Sequence, residues 1–98
     1  MMKINQTLND YKFLGIKGCL IVLQIIRNSG PMRYTDIEVE YIKKTGRKLS
    51  PGTLTKCLKE LEKNALLHKS NGMYEITLEG QKLLLSLEQL SKNRTVKR

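Results

Sequence analysis

Residues 49 to 63 read LSPGTLTKCLKELEK, the most informative stretch of this chain of 98 residues. Ser50 is a favourable N-cap, and Pro51 would occupy the first helical position, where its missing N–H costs no hydrogen bond. Apolar residues recur at the spacing of one helical face, at Leu54, Cys57, Leu58 and Leu61. Hydroxyl and ammonium groups fall on the other side, at Thr53, Lys56, Lys59 and Lys63. The stretch predicts a helix with a packed back and a polar, basic front.

Two further helices are predicted upstream of this one. Residues 14–28 are apolar on almost every side and stop at Ser29-Gly30-Pro31, because glycine suits the closing position and proline cannot continue a helix. Residues 32–34 can form an edge strand at most. Residues 35–38 match a capping box, in which Thr35 and Glu38 would satisfy each other's backbone donors. They predict a second helix over residues 36–44.

A hairpin and a last helix are predicted downstream. Residues 66–69 and 73–76 are short runs on either side of Ser70-Asn71-Gly72, and Asn-Gly is the strongest local signal for a two-residue hairpin turn. Thr77 would cap a helix from Leu78 to about Ser91. The predicted fold is therefore mainly α with a small β-hairpin wing, a winged helix-turn-helix. We divide the chain into an N-terminal arm or short helix (1–13), the winged domain with a C-terminal dimerisation helix (14–91) and a basic tail (92–98).

The charge of the chain points to a polyanionic partner. Lysine and arginine number 18 against 9 acidic residues, which gives a net charge of +9. Between residues 43 and 69 there are eight basic and two acidic residues. Because the basic residues gather on the helix-turn-helix rather than along one amphipathic helix, double-stranded DNA is a better partner than a membrane surface. The alternative for the same lysines is an ordinary solvated helix face.

In a helix-turn-helix the second helix of the pair enters the major groove with its N-terminal residues leading. We therefore expect DNA contacts from that helix, from the wing and from the segment before the first helix of the pair. The candidates are Ser50, Gly52, Thr53, Thr55, Lys56, Lys59 and Lys63 on the helix, Lys69 and Asn71 on the wing, and Arg33. Arginine is absent from the front of the helix, so affinity should depend mainly on phosphate neutralisation, with modest base preference.

The first predicted helix is too apolar to be covered on one side only, which suggests a second subunit. Part of its surface would meet that subunit together with the leucine stripe of the last helix. The predicted interface of the homodimer is formed by Ile21, Val22, Ile25, Leu83, Leu84, Leu87 and Leu90.

Metal, cofactor and catalytic chemistry are not expected. Cys19 and Cys57 lie 38 positions apart without CxxC spacing, and His68 is the single histidine. The cysteines could form one disulfide, but we interpret them as buried, reduced small hydrophobes, because nothing resembles a secretory signal. No histidine pairs with a nucleophile, and there is no glycine-rich phosphate loop, so an enzyme is not predicted. We expect a cytoplasmic protein of the prokaryotic nucleoid. The sequence does not reveal whether a small-molecule effector exists.

From residue 15 to residue 90 the chain resembles winged-helix transcription regulators of the HxlR type, with PadR and MarR relatives close behind. The resemblance rests on LSPGTLTKCLKELE at 49–62, ALL at 65–67 and YEITLEG at 74–80. It implies a homodimer that places two recognition helices in successive major grooves. The usual first-helix tryptophan is missing, the wing is shorter and no cysteine lies at the extreme N-terminus, so thiol sensing is not implied. A second resemblance is to small archaeal winged-helix chromatin proteins.

Together these features predict a sequence-preferring transcription regulator, a homodimeric repressor that inserts helix 51–63 into the major groove. Two alternatives remain open at this point. One is an architectural nucleoid or chromatin protein with the same fold, and the other is a winged-helix module that docks other proteins.

Overall fold

The computed structural model describes the backbone of residues 18–96 and the side chains of residues 18–89. This part of the chain contains four helices and one hairpin, in the order α1 (Cys19–Ser29), α2 (Tyr34–Thr45), α3 (Pro51–Lys63), β1 (Leu67–Ser70), β2 (Met73–Ile76) and α4 (Leu78–Val96). The order confirms the predicted mainly helical fold with a β-hairpin wing. The predicted N-terminal arm and residues 14–17 of the first predicted helix lie outside the described residues.

Helix α1 is the centre of the core, since α2, α3, β2 and α4 all pack against it. Val22 is fully buried and Ile25 is 4% exposed within the single protomer. Leu84 of α4 is also fully buried. This corrects the interpretation that Val22, Ile25 and Leu84 face a second subunit: the apolar character of α1 reflects four neighbouring elements of its own chain.

Helix α2 begins two residues before the predicted start, with Arg33 as its N-cap. The backbone N–H of Arg33 donates to Asp36 Oδ2 at 3.1 Å, which places an acceptor at the third helical position. The predicted capping pair of Thr35 and Glu38 is therefore wrong. The reason is that the extended backbone ends at Arg33 (φ −90°, ψ 166°), so Thr35 already lies inside the first turn.

Helix α3 and the hairpin form where the sequence predicts them. Ser50 caps α3 by accepting a hydrogen bond from the backbone N–H of Thr53 at 3.2 Å, and Pro51 is the first helical residue. The strands pair antiparallel through a two-residue turn, in which Asn71 (φ 53°) and Gly72 (φ 77°) both adopt the left-handed conformation of a type I′ turn. Before α2, Met32 pairs with Tyr74 as a single bridge, so the predicted edge strand is one residue long.

Helix α4 is longer than predicted. Its N-terminus is capped as expected, because the N–H of Gly80 donates to Thr77 Oγ1 at 3.0 Å. It continues to Val96, so residues 92–96, predicted as a tail, are helical. The sequence contains no glycine or proline after Gly80 that would end the helix. Arg27 of α1 makes a bidentate ion pair with Glu88 of α4, at 2.9 and 2.8 Å, and this pair ties the two helices together.

The described core contains only apolar side chains and the two cysteines, with no buried charged residue. Cys19 and Cys57 are fully buried and free, which confirms the interpretation as small hydrophobes and excludes a disulfide in this structure. The two thiols interact between α1 and α3. The hydrogen bond with Cys57 and burial raise the pKa of the Cys19 thiol. Cys19 is therefore held in the unreactive thiol form.

Candidate nucleic-acid interface

The outer face of α3 is an exposed, basic ridge. Gly52, Lys56, Lys59 and Lys63 are all exposed and follow one line along the helix, at spacings of four, three and four residues. The opposite face is buried in the core through Leu54, Cys57, Leu58 and Leu61. A shallow groove of about 470 Å³ runs along the exposed side, lined by Pro51, Gly52, Thr55, Lys56, Lys59 and Glu60. This arrangement is the rigid back and narrow basic front that the sequence predicts.

The hydroxyl groups at the start of α3 are used mainly by the cap. Ser50 Oγ donates to Thr53 Oγ1 at 2.8 Å and accepts the N–H of Thr53. Thr53 is half-buried on the flank of the helix, so its predicted place on the front is corrected, whereas Thr55 is exposed. The physical reason is helix periodicity, because Thr53 precedes the buried Leu54 by one residue, about 100° around the helix, and so lies at the edge of the buried face.

The leading turn of α3 offers one backbone donor to solvent. Pro51 has no N–H, the N–H of Thr53 binds Ser50 Oγ, and the N–H of Leu54 binds the carbonyl oxygen of Ser50 at 3.0 Å. No hydrogen bond within the described residues uses the N–H of Gly52. A helix N-terminus with a free N–H and no side chain at that position attracts an anion such as a phosphate.

Three hydrogen bonds that sequence reasoning missed lie at the start of α3 and in the turn that joins it to α2. The Tyr34 hydroxyl donates to the carbonyl oxygen of Pro51 at 3.3 Å. In the connecting turn, Thr45 Oγ1 donates to the carbonyl oxygen of Tyr41 at 2.8 Å and accepts the N–H of Arg47 at 3.1 Å. A threonine before Gly46 is a recognisable local signal, but nothing in the sequence pairs Tyr34 with Pro51.

The wing brings together three of the predicted contact residues. Asn71 is exposed at the turn, and Lys69 places its ammonium group 5.2 Å from the ring centroid of Tyr74, a cation–π contact. Arg33 lies in a different part of the chain, at the start of α2. Its Nη1 atom lies 4.0 Å from the position that a Cβ on Gly72 would occupy. Arg33 therefore belongs spatially with the wing turn.

Most charges of this region have no ion-pair partner among the described residues. All eight basic residues between positions 43 and 69 are exposed. Among the described residues only one of them, Lys43, makes an ion pair, with Glu40 at 3.5 Å. By contrast, Arg27 is engaged by Glu88, and the hydrogen bond between them lowers the pKa of the Glu88 carboxyl. No cluster of three metal-ligating side chains occurs in the part of the chain that the structure describes.

The residues predicted for a dimer contact divide into three groups. Val22, Ile25 and Leu84 are buried in the protomer. Ile21, Leu83 and Leu87 are half-buried, and the side chain of Leu90 lies outside the described ones. Two residues that the sequence analysis passed over are far more exposed, Leu78 at 65% and Leu85 at 57%. They are seven residues apart, a spacing that could have identified them as one stripe.

The fold is that of known transcription regulators. A PadR-like transcription factor from Bacteroides fragilis has a TM-score of 0.67 and 21% sequence identity, over 96% of this chain and 95% of that one. A protein from Thermoplasma acidophilum assigned as a transcriptional regulator has a TM-score of 0.63 and 24% identity, over 80% of this chain and 84% of that one. These likenesses show the fold of this chain, a winged helix-turn-helix. No protein-family model and no curated protein sequence matches the chain.

None of the described helices combines the length and the apolar character that crossing a membrane requires.

Proposed function

We propose that this protein is a double-stranded DNA-binding transcription regulator that acts as a homodimer and represses by occupying a promoter. The observation that carries the proposal is the two-sided construction of α3. Its back is fixed in the core by four buried residues, while its front exposes three aligned lysines beside a free backbone N–H at Gly52. A helix of this kind can enter a major groove without rearrangement of the domain.

Each exposed group of α3 has a distinct task in this proposal. The N–H of Gly52 and the positive end of the helix dipole bind a phosphate at the rim of the groove. Lys56, Lys59 and Lys63 neutralise phosphates and release counterions. Thr55 presents a hydroxyl and a methyl group to base edges, and the methyl suits thymine. Ser50 contributes through the cap, since its hydroxyl holds the first turn.

The apolar surface that the described part of the chain leaves uncovered supports the proposed homodimer. Leu78 and Leu85 project from one side of α4, whereas half-buried Ile21 and Leu83 pack against the core and Leu87 lies on the same side of α4 as Leu83. A twofold contact through α4 would present two copies of α3 to DNA, about one helical turn, or roughly 34 Å, apart. Half-sites at that spacing would be read as a pseudo-palindrome.

An architectural role is the second candidate, and one observation favours it. The exposed ridge of α3 contains lysine and no arginine, whereas bidentate arginine contacts to guanine are the commonest strong base readout. With a net charge of +9, such a surface would bind many DNA sequences through phosphates.

Fluorescence anisotropy separates these candidates. The protein is titrated with the DNA upstream of its own gene and with random duplex, each across a salt series. A steep salt dependence with about a thousandfold preference for the upstream DNA supports a specific regulator, because that ratio is the lower end of typical specificity. A steep dependence without preference supports the architectural role. Absence of binding to both duplexes at low salt would overturn the proposal.

A matched pair of variants tests the surface itself. Replacing Lys56 and Lys59 together by alanine should weaken binding and lower the salt slope by about two, one for each lost phosphate contact. Replacing Lys82 and Lys44, exposed on α4 and α2, removes the same charge elsewhere and should lower the slope by less. Equal losses in the two double variants would show that total charge, and not the α3 ridge, governs binding.

A further inference from the structure

We infer that Arg33 inserts its guanidinium group into the minor groove and gives the protein a preference for A·T pairs beside the site that α3 occupies. The inference rests on the proposed DNA-binding function. It adds a specificity-determining residue that lies outside both the recognition helix and the hairpin, in the segment between α1 and α2.

Long-range contacts hold Arg33 between the two DNA-facing parts of the domain. On one side, Met32 is paired with Tyr74 of β2 through two backbone hydrogen bonds of 3.0 and 2.7 Å. On the other side, the Tyr34 hydroxyl binds the carbonyl oxygen of Pro51, the first residue of α3. Arg33 is the residue between these two anchors. The backbone of Arg33 is therefore fixed on both sides, and its side chain extends beside Gly72 at the wing turn.

The guanidinium group of Arg33 is available to a ligand. Arg33 is exposed, and its structural role in capping α2 uses only the backbone N–H, which donates to Asp36 Oδ2. Within the described residues, no carboxylate forms an ion pair with the Arg33 side chain. Arg27 illustrates the opposite case, because both of its terminal nitrogens bind Glu88. The five N–H donors of Arg33 are thus not committed within the described structure.

Lys69, the other cation near the wing turn, is less suited to entering the minor groove. The ammonium group of Lys69 lies over the ring of Tyr74, against the body of the hairpin. An ammonium group is also more strongly hydrated than a guanidinium group, so its entry into a narrow groove costs more. Gly72 has no side chain to stand between Arg33 and the DNA. The projecting charge of the wing region is therefore Arg33.

The chemistry of the minor groove then determines the preference. A·T-rich tracts have a narrow minor groove with enhanced negative potential, which attracts an inserted arginine. Their base edges present only acceptors, N3 of adenine and O2 of thymine, that match the donors of Arg33. A G·C pair places the amino group of guanine in the same groove and opposes a donor. A contact to phosphate alone would carry no such preference.

The test uses the full chain and three duplexes that share one core, taken from the DNA upstream of its own gene. Their flanks consist of A·T, G·C or inosine·C pairs. Inosine·C has the major-groove edge of G·C but lacks the minor-groove amino group, so it separates the two grooves. We expect the wild-type protein to bind the A·T and inosine·C duplexes about tenfold more tightly than the G·C duplex, the discrimination typical of one good base contact.

Two arginine variants complete the test. Arg33→Ala should reduce the ratio between flanks to within about twofold, the level expected when that single base contact is lost. The variant keeps the backbone cap of α2, and circular dichroism verifies its fold. Arg47→Ala removes the same charge from the exposed turn between α2 and α3 and should leave the ratio unchanged.

The outcomes that overturn the inference differ from those that overturn the proposed function. The inference alone is overturned if the wild-type protein binds all three duplexes with equal affinity. It is also overturned if Arg33→Ala loses affinity equally on all three duplexes, because Arg33 would then be a phosphate contact. A wild-type protein that binds none of the duplexes at low salt overturns both.

Discussion

Ala65 adopts a left-handed backbone conformation, with φ 60°, at the end of α3. Its N–H donates to the carbonyl oxygen of Glu62 at 3.0 Å, and the N–H of Leu66 donates to that of Leu61 at 2.9 Å. These are the two hydrogen bonds of a Schellman motif, whose left-handed position is usually glycine. Alanine there costs about 1–2 kcal/mol in steric strain.

We therefore expect Ala65→Gly to raise the free energy of unfolding. The relief of strain exceeds the entropy that glycine adds to the unfolded chain, about 0.4–1 kcal/mol, so the net gain should be up to about 1 kcal/mol. Urea denaturation followed by circular dichroism measures it. A variant less stable than the wild-type protein would contradict this account of the α3 C-terminus.

Gly80 is the second position where one methyl group decides stability. A Cβ there would collide with the carbonyl oxygen of Leu66 and lie 2.7 Å from Cγ1 of Ile76. We expect Gly80→Ala to lower the free energy of unfolding by about 1–3 kcal/mol, the usual cost of overpacking. Gly52→Ala is the control, because its Cβ would meet no atom within 4 Å. Thermal unfolding that ranks Gly52→Ala as the more damaging change would contradict the contact.

At the scale of whole elements, the sequence predicts a helix end well when a single residue can form the cap. Ser50 followed by Pro51 predicts a single N-cap for α3, and the structure places the cap at Ser50. The start of α2 is different, because Arg33 and Thr35 each have an acidic residue three positions later. The pairing of Met32 with Tyr74, 42 residues away, decides where extended backbone ends. Local pattern contains no information about that contact.

The same distinction between local pattern and long-range contact explains why the prediction for Val22 and Ile25 of α1 was wrong. Hydrophobic periodicity shows that a helix is apolar on nearly all sides, but it does not show what covers those sides. Packing by α2, α3, β2 and α4 of the same chain leaves Val22 and Ile25 no surface for a partner. Periodicity alone could not separate that arrangement from a dimer contact.

The ion pair between Arg27 and Glu88 should make the attachment of α4 to α1 depend on pH. The hydrogen bond from Arg27 lowers the pKa of Glu88 in the folded protein. A lowered folded-state pKa means that the stabilisation is complete above the pKa of the unfolded carboxyl and disappears as pH falls through the folded value. Glu88→Gln should therefore reduce stability at neutral pH, and the difference from wild type should vanish in acid.

Urea denaturation across a pH series measures this difference. Glu62→Gln is a suitable control, since Glu62 is exposed on α3 and makes no ion pair with a described residue. Its effect on stability should be smaller at neutral pH. A Glu88→Gln effect of the same size at neutral and acidic pH would show that the ion pair is not its source.

At the scale of the molecule, the sequence predicts the chemistry of the candidate surface better than its extent. The lysines of α3 follow from helix periodicity, because one buried face fixes the exposed one. The approach of Arg33 to Gly72 joins residues 39 positions apart and depends on how α2 meets the hairpin. Leu78 and Leu85 are exposed, although Leu85 directly follows Leu84, which is buried. Only the packed structure separates the leucines of the core from those of the surface.

The exposure of these two leucines leads to a prediction about assembly. If α4 forms the dimer contact, a twofold interface buries four such side chains, two from each protomer. Full burial of a leucine contributes about 1.5–3 kcal/mol, so even partial burial of four should contribute about 4 kcal/mol. Replacing Leu78 and Leu85 together by serine should weaken the dimer about a thousandfold, the equivalent of that energy. The fold should persist, because both side chains lie mostly outside the protomer's core.

Sedimentation equilibrium measures the change, with twice the chain mass of 11.3 kDa expected for the wild-type protein. The control replaces Val39 and Ile42 of α2 by serine, which are 51% and 43% exposed and removed from α4 in sequence. That variant should remain dimeric. It should also bind DNA like the wild-type protein, whereas the α4 variant should bind more weakly, because a monomer engages only one half-site. A wild-type monomer would exclude the α4 dimer, and a dimer broken by the α2 substitutions instead would place the interface on α2.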